Sequence, residues 1–186
     1  MARLSAPPTI APFPTTDTQT TTEYKGPFGS VFYDPDNPLN AYMLVNMQHA
    51  ASIGECVIID QDGLASRPAS GSYGQVGFVA GTVSGSDTAA FVQIEGEISD
   101  ALLTSGVTTA AFLIAPVTSD GGYLDVLTST EANVVYGARC ISAPSTATTP
   151  LSSDTGASAL IGVGTVFIKR GGAFVYGINN NHGTVS

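Results

Sequence analysis

The chain has 186 residues, 43 % of them apolar and only 11 % charged, with 6 Lys and Arg set against 15 Asp and Glu for a net charge of -9. That length supports one domain with a sizeable core, together with tails. The charge speaks against partnership with nucleic acid or an anionic membrane: a polyphosphate is held by clustered cations, whereas Arg3, Lys25, Arg67, Arg139, Lys169 and Arg170 are scattered, and only the last two are adjacent.

Residues 1–28 read as an extended N-terminal arm. Pro7, Pro8, Pro12 and Pro14 remove backbone donors that a regular sheet requires. Thr15, Thr16, Thr18, Thr20, Thr21 and Thr22 follow, with little apolar material between them. Such a stretch buries too little surface to fold alone. Leu4, Ile10, Phe13, Tyr24 and Phe28 are spaced apolar anchors within it, and at about 3.3 Å per residue the arm reaches roughly 90 Å. These features predict a strap that gains order on a neighbouring polypeptide, with the five anchors as partner-binding residues. The first residues lack the apolar stretch of a secretory signal, and no apolar run approaches the roughly 20 residues of a membrane-spanning helix.

From Gly29 the pattern becomes that of a β-protein, with a barrel or compact sandwich expected over 29–178. Val31-Phe-Tyr runs as a short strand into Asp34-Pro-Asp-Asn-Pro, and Asn40–Ser52 suits either a short helix or a strand through Tyr42-Met-Leu-Val. Cys56-Val-Ile-Ile is a β-branched strand closed by the turn sequence Asp60-Gln-Asp-Gly. Val76-Gly-Phe-Val-Ala is next, and Ala90-Phe-Val-Gln-Ile-Glu-Gly-Glu-Ile alternates apolar and polar residues in its second half, as a half-buried strand should. Ala111-Phe-Leu-Ile-Ala-Pro-Val, Tyr123-Leu-Asp-Val-Leu and Asn133-Val-Val-Tyr-Gly-Ala-Arg-Cys-Ile continue the series. Residues 143–158, rich in Ser, Thr, Pro, Ala and Gly, predict a long loop. Leu160–Arg170 is a strong strand, expected to turn at Lys169-Arg-Gly-Gly and pair with Ala173-Phe-Val-Tyr as a closing hairpin. Residues 179–186 form a polar tail. Short strands at this spacing indicate a barrel or sandwich.

The middle of the chain has a recurring order. Val76-Gly-Phe-Val-Ala and the polar turn Ser84-Gly-Ser-Asp-Thr precede a strand ending in glycine, Phe91-Val-Gln-Ile-Glu-Gly. A spacer over 102–109, a strand at Phe112-Leu-Ile and a turn at Asp120-Gly-Gly lead back to Val134-Val-Tyr-Gly-Ala-Arg. Over residues 76–142 this resembles the head decoration, or capsid cement, proteins of tailed bacteriophages. The resemblance implies a homotrimer on the outer surface of a virion, locking neighbouring major capsid subunits together, made and assembled in the host cytoplasm. It implies no catalytic residues and no cofactor. The long 143–158 segment departs from the smallest members of that family. A tail or fibre module that binds a host receptor or glycan is the alternative, and it predicts a concave site with aromatic residues.

Residues able to carry chemistry are few. His49, with Ser52 three residues on, is the one pairing that suggests a hydrolase, and no Gly-x-Ser-x-Gly elbow accompanies it. His182 lies in the polar tail. Asp34-Pro-Asp-Asn-Pro-Leu-Asn gathers oxygen ligands, but Leu39 and Val45 stand where a calcium loop needs glycine and a carboxylate, so a rigid turn is expected and no metal. Glu95 and Glu97 share one strand face, and an exposed face accounts for them better than glycosidase chemistry. Cys56 and Cys140 lack zinc-type spacing and read as small buried side chains.

Overall fold

The computed structural model describes residues 27–68, 73–110, 113–114, 122–126, 133–145 and 161–177. Among them are twelve strands and no helix. The arm, apart from Pro27 and Phe28, and the anchors Leu4, Ile10, Phe13 and Tyr24 lie outside the described residues, as do most of 143–158 and the tail.

Five strands close into a barrel: β2 (Ala41–Met47), β4 (Leu64–Ser66), β3 (Cys56–Ile59), β5 (Gly74–Val79) and β6 (Thr88–Thr104), which returns to β2. The protein is thus an all-β barrel with additional strands. The β2–β4 contact is parallel and the others antiparallel. Between the two sequence options for Asn40–Ser52, the strand is the one formed. Val45, Val57, Ile59, Val79, Val92 and Ile94 fill the barrel interior. β1 (Val31–Tyr33) lies along the part of β2 that β4 leaves open. Its Phe32 packs edge-on against Phe91 outside the barrel, with ring centroids 5.7 Å apart.

A second core lies outside β3 and β5. β6 continues past Gly96 to pair with β11 (Ile161–Ile168), which pairs with β10 (Ala138–Ser142). β12 (Ala173–Gly177) extends the barrel sheet from β5, followed by β9 (Asn133–Tyr136), β7 (Leu113–Ile114) and β8 (Asp125–Val126). Cys56, Ile58, Val76 and Phe78 from the barrel meet Ile98, Leu103, Leu124, Val166, Ile168 and Val175 in this layer. Strand β3 is therefore buried on both faces, which is why four consecutive apolar residues suit it.

The closing hairpin expected after residue 160 is not formed as such. β11 and β12 are joined through 169–172, yet they pair with different neighbours. β9 and β10 part in the same way at Gly137, and the Lys169 N–H donates to the Gly137 carbonyl (3.0 Å) to hold the corner. One antiparallel ribbon is bent so that its two halves cover two sides of the second core.

The turns expected at Asp34 and Asp60 are in place, while that expected at Asp120-Gly-Gly lies partly outside the described residues. The Asp34 side chain accepts the Asp36 N–H (2.9 Å), and the Asp60 side chain accepts those of Asp62 and Leu64 (both 2.9 Å). Glycine is required where the 51–55 loop meets β6: a Cβ on Gly54 would fall 1.7 Å from the Asp100 carbonyl oxygen. We expect Gly54→Ala to cost about 1–3 kcal/mol through overpacking. Gly85→Ala, with nothing within 4 Å of its new methyl, should change stability by under about 0.5 kcal/mol. Urea midpoints at constant slope measure both.

Candidate functional site

The one fully buried acid among the described residues is Glu55, 1 % exposed, just ahead of β3. Its Oε1 takes His49 Nε2 and the Arg67 Nε–H, each at 2.8 Å, and its Oε2 accepts the Ser52 N–H at 3.1 Å. Three connections converge here: His49 follows β2, Glu55 leads into β3, and Arg67 follows β4. Gly122 lies flat against the carboxylate, where a Cβ would come within 2.8 Å of Oε1, and its carbonyl accepts the Cys56 N–H (2.7 Å). Burial pushes the Glu55 carboxyl upward. The hydrogen bonds from His49, Arg67 and Ser52 and the guanidinium charge together outweigh it and hold Glu55 below its ordinary range.

The sequence pairs His49 with Ser52, three residues on. The structure instead ties His49 to Glu55, and Ser52 contributes its backbone N–H. Arg67, twelve residues from Glu55, carried no sequence signal, because only the barrel's closure brings the two together. The arrangement is a clasp: both carboxylate oxygens are engaged in fastening loops. Among the described residues no three His, Cys, Asp or Glu side chains are grouped to hold a metal. Cys56 and Cys140 are buried, unpaired members of the same core. Burial raises both thiols above their ordinary range, with the Glu55 charge adding at Cys56.

Two surfaces offer more to a partner. The first is the edge of β1. Gly29 N–H and Ser30 carbonyl bond to Leu44, and Asp34 N–H bonds to the Asn40 carbonyl. By the alternation of an antiparallel ladder, Val31 and Tyr33 turn their backbone groups to the other edge, which no described strand occupies. Val31 and Tyr33 are 44 % and 53 % exposed, and Phe28 and Leu39, on either side of the strand, are also exposed. Phe28, the one sequence-predicted anchor within the described residues, sits at the turn where the chain enters the barrel, with its Cβ close to Gly63.

The second surface is a cleft of about 600 Å³ between the β3–β4 turn and the start of β5. Asp60, Asp62, Gln75, Tyr73 and Phe174 line it, and no described Lys or Arg does. Elsewhere, Glu95 and Glu97 flank the bend at Gly96. The Glu95 carboxylate accepts the Gly171 N–H (2.8 Å), and Glu97 is exposed.

Because the Glu55 carboxyl lies lower folded than unfolded, its stabilisation is complete above the ordinary value of 4.5 and is lost as pH falls toward the folded value. Glu55→Gln should cost about 3 kcal/mol at pH 7. It should also flatten the fall in stability below pH 4.5, as read by thermal unfolding across pH. Comparison with family models, with curated proteins and with solved structures finds no match for this chain.

Proposed function

We propose that the chain is a non-enzymatic virion structural protein, a homotrimer that binds the outer surface of a phage capsid and stabilises contacts between major capsid subunits. The observation that carries this reading is the open edge of β1. It is a strand edge that no described strand occupies, with exposed Val31 and Tyr33, placed where residues 1–26 join the barrel. An extended segment from a partner can add to such an edge, with main-chain bonds giving affinity and alternate side chains giving specificity. The arm's spaced anchors supply a second contact, and many copies on one shell make attachment multivalent. The resemblance over residues 76–142 supports the capsid as the place.

Co-sedimentation with empty phage shells tests the proposal. The full chain should pellet with shells, and the chain lacking residues 1–26 should bind at least tenfold more weakly while retaining its thermal transition. Equal pelleting of both, or none by the full chain, sinks the reading.

The cleft favours a second reading, that of a tail or fibre module binding a neutral host glycan. Tyr73 is 78 % exposed and Phe174 half-buried, so rings are available for stacking on sugar faces, with Asp60 and Asp62 as acceptors for hydroxyls. A glycan array decides: saturable binding lost on Tyr73→Ala would move the conclusion to receptor recognition.

A further inference from the structure

Three of the six cations that look dispersed along the sequence come together in the fold. Arg3 and Lys25 belong to the arm and Arg67 is bound to Glu55. The remaining three, Arg139, Lys169 and Arg170, stand together where β10 and β11 meet the 169–172 turn. Arg139 is the cross-strand partner of Phe167, with its guanidinium 5.9 Å from the ring centre. Lys169 is fixed beside Gly137 by its N–H, and its Cε lies 3.0 Å from where a Gly137 Cβ would sit. Because Gly137 has no side chain, the lysine stem lies across the strand. Between them is a pocket of about 330 Å³ lined by Gly137, Ala138, Arg139, Phe167 and Lys169.

Among the described residues no carboxylate forms an ion pair with Arg139, Lys169 or Arg170. The ion pairs among the described residues all belong to Glu55. Of the nearest acids, Glu95 is engaged by the Gly171 N–H, and Glu97 lies one strand away, across from Phe167. Three like charges gathered on a chain of net charge -9 repel one another. An arrangement that leaves them without an ion pair among the described residues, on a chain of 15 acids, holds them ready for an anion from outside.

We propose that this corner is a docking site for an acidic polypeptide segment of a protein partner. A carboxylate would enter between Arg139 and Lys169, with the guanidinium already oriented by Phe167. Exposed Ile141 on β10 and Val163 on β11 supply apolar contact for the residues between the acids. That mixed lining suits a peptide better than a nucleic acid, whose phosphate track would extend from a three-cation patch onto a surface of like charge. The site is separate from the β1 edge and needs neither the arm nor a shell, so it stands or falls apart from the capsid reading.

Fluorescence anisotropy with a labelled peptide of alternating Glu and Leu tests it. The protein should bind the peptide, and binding should weaken at least fivefold between 50 and 300 mM salt. Arg139→Gln with Lys169→Gln should reduce affinity at least tenfold with the melting temperature unchanged, while the charge-preserving Arg139→Lys with Lys169→Arg retains most of it. Absence of peptide binding, equal binding by the Gln variant, or tighter binding of an oligothymidylate than of the peptide would overturn the proposal.

Discussion

Everything in this fold turns on β6 serving two cores at once. Its first half lines the barrel with Val92 and Ile94, and its second half faces the outer layer with Ile98, Ala101 and Leu103. A straight strand cannot do this, since its faces are fixed by a two-residue period. Gly96, at φ +94°, provides the bend. A Cβ there would strike the Asn40 side chain, 2.1 Å from Oδ1. The Gln93 amide secures the bend by donating to the carbonyls of Glu95 and Glu97, both at 3.1 Å. Ser99 and Asp100 then stand opposite Thr165 alone, a bulge that moves the buried register from even to odd residues. Gly54 packs on that same bulge.

From this arrangement follows the location of what is free. Closing the barrel uses both edges of β3, β4, β5 and β6 within it, so the strand edge that no described strand occupies is pushed outward to β1. The Glu55 clasp locks the connections that follow β2, precede β3 and follow β4, consuming the buried acid, one histidine and one arginine. What remains for partners lies on the periphery: the β1 edge, the aromatic cleft at Tyr73, and the cationic corner.

Much of the architecture was legible because local patterns and tertiary placement agree. Cys56-Val-Ile-Ile reads as a β-branched strand, and it forms one buried on both faces. Asp34 and Asp60 read as turn residues, and their side chains accept the turn N–H groups. Agreement failed where pairing is long-range. The segments either side of 169–172 look like a hairpin, because nothing local records that one half joins β10 and β6 while the other joins β5 and β9. Residue spacing likewise sets Arg139 thirty positions from Lys169, although their strands are neighbours.

The amino-acid sequence by itself determined the all-β class and the turns at Asp34 and Asp60, since these depend on side-chain periodicity, φ preferences and local hydrogen bonding. Only the tertiary structure decided which strands close the barrel, that Glu55 finds Arg67 and His49, and that half of the few cations converge on one corner. Those outcomes are set by chain reversal and sheet register, which bring distant residues within a few ångströms. No local spacing encodes a contact made across two sheets.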